Sequence, residues 1–138
     1  MAWISIGKRK GKPPAALRPG ARAFPRMAGP RYTQPMDPSL HERLTAWRRH
    51  LHAHPGLTLD EGETAAFVVE RLRELGVSEI ETGVGGHGVV ATLRRAGGNR
   101  SVGLRADMDA LPIQELDETL PWRSTKPGVM HACGHDGH

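Results

Sequence analysis

Val102-Gly-Leu-Arg-Ala-Asp-Met-Asp-Ala-Leu-Pro112 reads as an apolar strand that ends abruptly in two carboxylates. Open α/β sheets place their ligand sites at the carboxyl ends of strands. In an extended segment Asp107 and Asp109 fall on one face. Two like charges held there repel each other unless a cation or a proton intervenes. Taken alone, a solvated turn after a strand accounts for the pair equally well. The flanking sequence has to decide.

Upstream, Gly97-Gly98-Asn99 is a turn signal, and Val89 to Leu93 reads as a second strand, so the two segments are expected to form a hairpin. A shorter strand lies near Ile80. Before it, Ala65, Val68, Leu72 and Leu75 recur at helical spacing, which predicts a helix over 60–75 with Gly76 at its left-handed cap. An earlier helix starts at Asp37, a plausible N-cap with Pro38 in the first turn, and carries Leu40, Leu44, Trp47 and Leu51 on one face. It is expected to stop before Pro55, because the residue preceding a proline resists helical geometry. At its end His50 and His54 stand one turn apart. They either share a metal or simply form a polar helix end favoured by the C-terminal dipole.

Residues 1–35 differ in kind. They hold eight Lys/Arg, no Asp/Glu and six of the eleven prolines, whereas the remainder of the chain has a net charge of −4. Without an apolar period, residues 1–36 read as a disordered basic extension, and 37–138 as the folded part. The high isoelectric point therefore belongs to the arm, and nucleic acid is not an expected partner. No apolar run approaches the roughly 18 residues needed to span a bilayer, so no membrane role is expected. A single cysteine excludes an internal disulfide. The expected location is the cytoplasm, with organelle targeting by the basic arm as the rival reading.

Downstream, Leu111 to Val129 has no period and is punctuated by Pro112, Pro121 and Pro127, and loops this long commonly carry function or disorder. The chain then runs into Met130-His-Ala-Cys-Gly-His-Asp-Gly-His138. Five possible ligands, His131, Cys133, His135, Asp136 and His138, fall within this stretch. Thiolate and imidazole suit zinc and its neighbours, and carboxylates extend the range toward manganese. The Cys-x-His spacing is unlike a zinc finger and fits a loop that holds ions in a pocket, with Gly134 and Gly137 allowing tight turns. The element order, helix, helix, three strands and a ligand-rich loop, is that of an α/β domain with helices packed on a mixed sheet.

These pieces together resemble a known family. Trp47-Arg-Arg-His-Leu-His-Ala-His-Pro55, Gly88-Val-Val-Ala91, Leu104 to Glu115 and Pro127 to His138 look like the amidohydrolases of the aminoacylase/carboxypeptidase metallopeptidase family, the branch of hippurate hydrolase and auxin–amino-acid hydrolases. The resemblance implies hydrolysis of a small-molecule N-acyl amino acid at a centre of two divalent ions, zinc, manganese, cobalt or nickel. It implies Cys133 and His135 as metal ligands and Asp109 as the residue that orients a metal-bound group. Asp107 stands where other branches carry a metal-binding histidine, and its role is open. Gly56 replaces a glutamate often found after the His-Pro pair. The family's glutamate pair, its further histidine ligands and its inserted dimerisation domain belong downstream of this motif. The resemblance therefore implies the N-terminal part of a metallopeptidase-like catalytic domain, truncated at the metal-binding motif, inactive and marginally stable by itself, from a family whose complete members are often homo-oligomers. A non-catalytic metal-binding or interaction module is the alternative.

Overall fold

The computed structural model describes residues 2–6, 36–94 and 101–138. In chain order the elements are β1 (Ala2–Ile6), α1 (Pro38–Ala53), α2 (Gly62–Glu74), β2 (Glu79–Val84), β3 (Gly88–Leu93), β4 (Val102–Ala106) and a short 3-10 helix, His135–Gly137. The expected elements between Asp37 and Ala106 form, with boundaries shifted by a residue or two.

Local chemistry accounts for the helix ends. The Asp37 carboxylate accepts the Ser39 backbone N–H at 2.9 Å, with Pro38 opening α1 behind it. Helix α2 closes in a Schellman motif: the Gly76 N–H donates to the Arg73 carbonyl (2.9 Å) and the Val77 N–H to the Leu72 carbonyl (3.0 Å). Gly76 supplies the required left-handed φ of 82°. The motif draws Val77 back onto the Leu72 side of the helix. Both join Val69, Val89 and Ala91 in one buried cluster between α2 and β3. Each such side chain contributes about 1.5–3 kcal/mol on full burial. Leu75, expected on this face, is instead 54% exposed, and the buried positions of α2 are Thr64, Val69 and Leu72.

The sheet has the order β2-β3-β1-β4. Antiparallel β2 and β3 pair Glu79 with Thr92 through Val84 with Gly88. Two expectations are corrected here. Residues 2–6, read as part of a disordered arm, form a strand. The segment Ala-Trp-Ile-Ser-Ile is apolar with β-branched and aromatic residues, a composition that favours strands and that averaging over 35 residues concealed. And β3 and β4 do not pair as a hairpin: β1 lies between them, parallel to β3 (Ala2 opposite Val89) and antiparallel to β4 (Ala2 opposite Ala106). Inserting β1 gives the inner edges of β3 and β4 hydrogen-bonding partners on a strand from elsewhere in the chain. The Gly97-Gly98-Asn99 turn and residues 7–35 lie outside the described residues. No described helix is long and apolar enough to cross a membrane.

The segment after β4 is laced into place rather than free. The Ala110 N–H donates to the Gly56 carbonyl at 2.7 Å, and Leu111 and Met130 exchange two backbone bonds of 3.0 Å. Thr125 donates its N–H and its hydroxyl to the Ala53 carbonyl at the end of α1. The Arg49 guanidinium sits 3.9 Å over the Trp122 ring. The ligand-rich tail is thereby drawn alongside the carboxyl end of β4.

Candidate metal centre

Beyond β4 the chain stays extended, so alternate residues take opposite sides. Met108 and Ala110 turn inward and are buried, while Asp107 and Asp109 face the tail. The tail reaches them through Gly134, whose φ of 87° starts the 3-10 helix. In that helix residues three apart eclipse one another. His135 and His138 accordingly lie side by side, their rings tilted by 32° with centroids 5.2 Å apart. One ring nitrogen of each and a carboxylate oxygen of Asp107 all lie within 4.8 Å of one another.

Asp109 fixes how His135 is presented. Its Oδ1 accepts the His135 Nδ1–H at 2.9 Å, and its backbone carbonyl accepts the same proton at 2.9 Å. Both partners are acceptors, so Nδ1 carries the proton and Nε2 is left as the free donor atom. The other oxygen of Asp109 accepts the Thr58 hydroxyl at 2.8 Å. The Thr58 bond, helped by His135 and opposed by partial burial, holds the Asp109 carboxyl below its ordinary range. A carboxylate behind a histidine, setting its tautomer and orientation, is the arrangement that metal-ligating histidines use. Asp107 accepts from Arg105 at both of its oxygens, Oδ1 at 2.6 Å and Oδ2 at 3.3 Å, so an ion would share this carboxylate with the guanidinium.

Two nitrogens and one oxygen suit zinc, cobalt, nickel or manganese. With the His135 tautomer already set, the residues present fit a divalent ion, and Asp107, His135 and His138 are the residues that would hold it.

A second cluster stands behind this one. His52 on α1 is buried and donates Nε2–H to Glu115 Oε1 (2.9 Å) and Nδ1–H to Asp136 Oδ2 (3.0 Å). Carboxylates only accept, so both ring nitrogens are protonated and His52 is an imidazolium. Burial pushes its pKa down, but the bonds to Glu115 and Asp136 outweigh this and the net shift is upward. For Glu115 burial pushes upward and is outweighed by the Ser124 N–H (2.6 Å) and His52, leaving its carboxyl lowered. Arg48 adds a fourth charge, donating to Asp136 Oδ2 at 2.9 Å. Two cations and two anions balance.

Between α1, α2 and the tail is a cavity of about 170 Å³ with an apolar lining that includes Leu51, Val68, Leu72 and Met108. Asp107 and His135 form part of its wall. The Thr64 hydroxyl and both ring nitrogens of His131, also on this wall, are buried and have no hydrogen-bond partner among the described residues. Burial lowers the His131 pKa and keeps the ring neutral.

The structure brings Asp107, Asp109 and His135 together. Cys133 is exposed and lies outside the trio, whose third place is taken by His138. His131 and Asp136, two more of the five possible ligands, face the interior instead. The His50–His54 question resolves toward the helix end: the rings stack 4.5 Å apart, and His54 Nδ1–H donates to the His50 carbonyl at 2.8 Å. Thr58, His52 and Glu115 were not legible as site residues. Nothing periodic marks them, and Glu115 meets His52 across 63 positions.

Residues 103–138 match the model of peptidase family M20/M25/M40. The chain is similar to N-acyl-L-amino acid amidohydrolase of Geobacillus stearothermophilus, 54% identical over 95 residues, covering 69% of this chain and 25% of that protein. It is similar to hippurate hydrolase of Campylobacter jejuni, 48% identical over 91 residues, covering 66% and 23% respectively. Among solved structures it resembles the YXEP protein of Bacillus subtilis, described as a dinuclear metal-binding peptidase of the M20 family. That match has a TM-score of 0.64 and 40% identity over 72% of this chain and 28% of that one. The chain spans about a quarter of the length of the curated relatives it matches.

Proposed function

We propose that this chain, whose residues 103–138 match the model of peptidase family M20/M25/M40 and whose fold is similar to part of a dinuclear metal-binding peptidase, supplies the metal-holding quarter of a hydrolase that cleaves the amide bond of N-acyl amino acids. The observation that carries this reading is the Asp109–His135 pair, which holds the ring of a histidine that groups with Asp107 and His138. A divalent centre supplies Lewis-acid polarisation of the amide carbonyl and lowers the pKa of water at the site. This chain's own residues do the holding. Asp107, His135 and His138 donate to an ion, and Asp109 with Thr58 fixes the His135 ring. The exposed thiol of Cys133, two positions before His135, would be available to a second ion. Zinc centres use three or four protein ligands per ion, so two ions need donors besides these, and the 138-residue chain alone is expected to be inactive. A lone thiol stays reduced in the cytosol, where we place the enzyme.

The test is a chimera in which residues 37–138 replace the matching quarter of the Geobacillus stearothermophilus relative. It is expected to release free amino acid from N-acyl substrates such as benzoylglycine, to stop on chelation and to recover with zinc, cobalt, nickel or manganese. A folded chimera that binds no metal and hydrolyses none of a panel of N-acyl amino acids overturns the reading. Tight metal binding without hydrolysis favours the non-catalytic module instead.

A further inference from the structure

The group of charges behind the metal trio supplies none of the trio's three ligand atoms, and it is bonded to the turn that carries the trio's two histidines. The 3-10 helix His135–Gly137 packs on α1, and its middle residue, Asp136, is 7% exposed. The Asp136 carboxylate reaches α1, where its Oδ2 meets both Arg48 and His52. His52 is in turn held from the opposite side by Glu115 of the 111–129 loop, whose second oxygen is occupied by the Ser124 N–H. The chain is therefore tied at one point to three elements that share no local sequence. His135 and His138 flank that anchored residue in a helix too short to hold itself, since its backbone bonds are only Gly137 to Gly134 and His138 to His135.

We infer that His52 is a positioning residue for the metal centre: clamped between Glu115 and Asp136, it locks the His135–His138 turn against α1 and so sets the spacing of the ligand nitrogens without touching the ion. The inference rests on the metal-holding reading above for its consequence, but the lock itself is a property of the polypeptide. Removing groups that orient ligands from behind lowers metal affinity by about 10–100-fold. The buried members, His52, Glu115 and Asp136, also resist movement, because a partner that leaves strands a buried charge.

The experiment uses the full 138-residue chain, titrated with cobalt(II) alone and followed by visible absorption. Amide hydrogen exchange is measured on the same samples. His52→Gln and Glu115→Gln are expected to weaken cobalt binding about 10–100-fold. Amide exchange is expected to quicken about tenfold at residues 134–138, the scale of one lost anchoring interaction, and to stay unchanged in α2 and β3. Arg48→Gln, which removes the partly exposed member of the network, is expected to weaken binding by only a few-fold and keeps the test open if a buried substitution prevents folding. Arg94→Ala, at the exposed pair with Glu79 on the far strands, is the control and is expected to change neither readout. Cobalt affinity within twofold of the parent in both buried variants overturns the inference. So does faster exchange spread evenly through α2 and β3, which makes His52 a general stabiliser. If the parent chain binds no cobalt, Asp107, His135 and His138 do not hold an ion without further donors, and the chimera decides the metal-holding reading. The lock is then judged by exchange alone: local quickening at 134–138 sustains it and unchanged protection refutes it.

Discussion

Asp109→Ala tests the pair on which the metal reading rests. The substitution removes the carboxylate that accepts His135 Nδ1–H at 2.9 Å, but it leaves the backbone carbonyl of residue 109, which accepts the same proton at the same distance. The ring therefore keeps one of its two restraints. A hydrogen bond to a charged group contributes about 1.5–3 kcal/mol net, and loss of a carboxylate behind a ligating histidine lowers metal affinity about 10–100-fold. With the carbonyl still in place, the expected loss is at the lower end, about tenfold, or roughly 1.4 kcal/mol. Thr58→Val removes the hydroxyl on the other carboxylate oxygen and is expected to cost about 0.5–1.5 kcal/mol, since it loosens Asp109 without removing it. Thr58 acts only through Asp109, so its effect should vanish in the Asp109→Ala background, a coupling that a double-mutant cycle measures directly. The assay is cobalt(II) titration at pH 7.5 with urea unfolding as a check on the fold. Asp109→Ala binding within twofold of the parent refutes the reasoning. So does a Thr58→Val penalty that persists undiminished in the double variant.

Other consequences are independent of that pair. The raised pKa of His52 means its stabilisation is complete below about pH 6.5 and is lost as pH rises through the higher folded value. The lowered pKa of Glu115 means its contribution is complete above about pH 4.5 and is lost as pH falls through the lower folded value. Because the lowered pKa of His131 acts oppositely, costing stability as pH falls below about 6.5, the His52 part is read as the difference in urea midpoint between the parent and His52→Gln, which should shrink from pH 6 to 9; a difference that grows over this range contradicts it. Val89→Ala, at a position 1% exposed in the cluster under α2, should cost about 1.5–3 kcal/mol of unfolding free energy, while Val84→Ala, 43% exposed, should stay within about 0.5 kcal/mol. Gly134→Ala meets no atom within 4 Å, so its only cost is the left-handed backbone, about 1–2 kcal/mol. It should appear as weaker cobalt binding, because the strain falls on the turn that carries His135.

Features that depend on neighbours a few residues apart were legible before any fold was known. The Asp37-Pro38 start of α1, the Gly76 cap of α2 and the period of β3 are set by capping geometry, glycine freedom and side-chain alternation, and the structure reproduces them. The same local chemistry made the carboxylates after β4 and the histidine-rich tail visible as ligand types. Tertiary structure alone decided which of those ligands meet. His138 joined Asp107 and His135 and Cys133 did not, because Gly134 reverses the chain between them and the 3-10 helix aligns residues three apart. It also decided that β1 separates β3 from β4, and that His52 gathers Glu115 and Asp136 from 63 and 84 positions away. A strand finds its partner, and a buried charge its counter-charge, through desolvation and backbone pairing between segments that carry no record of each other in local sequence.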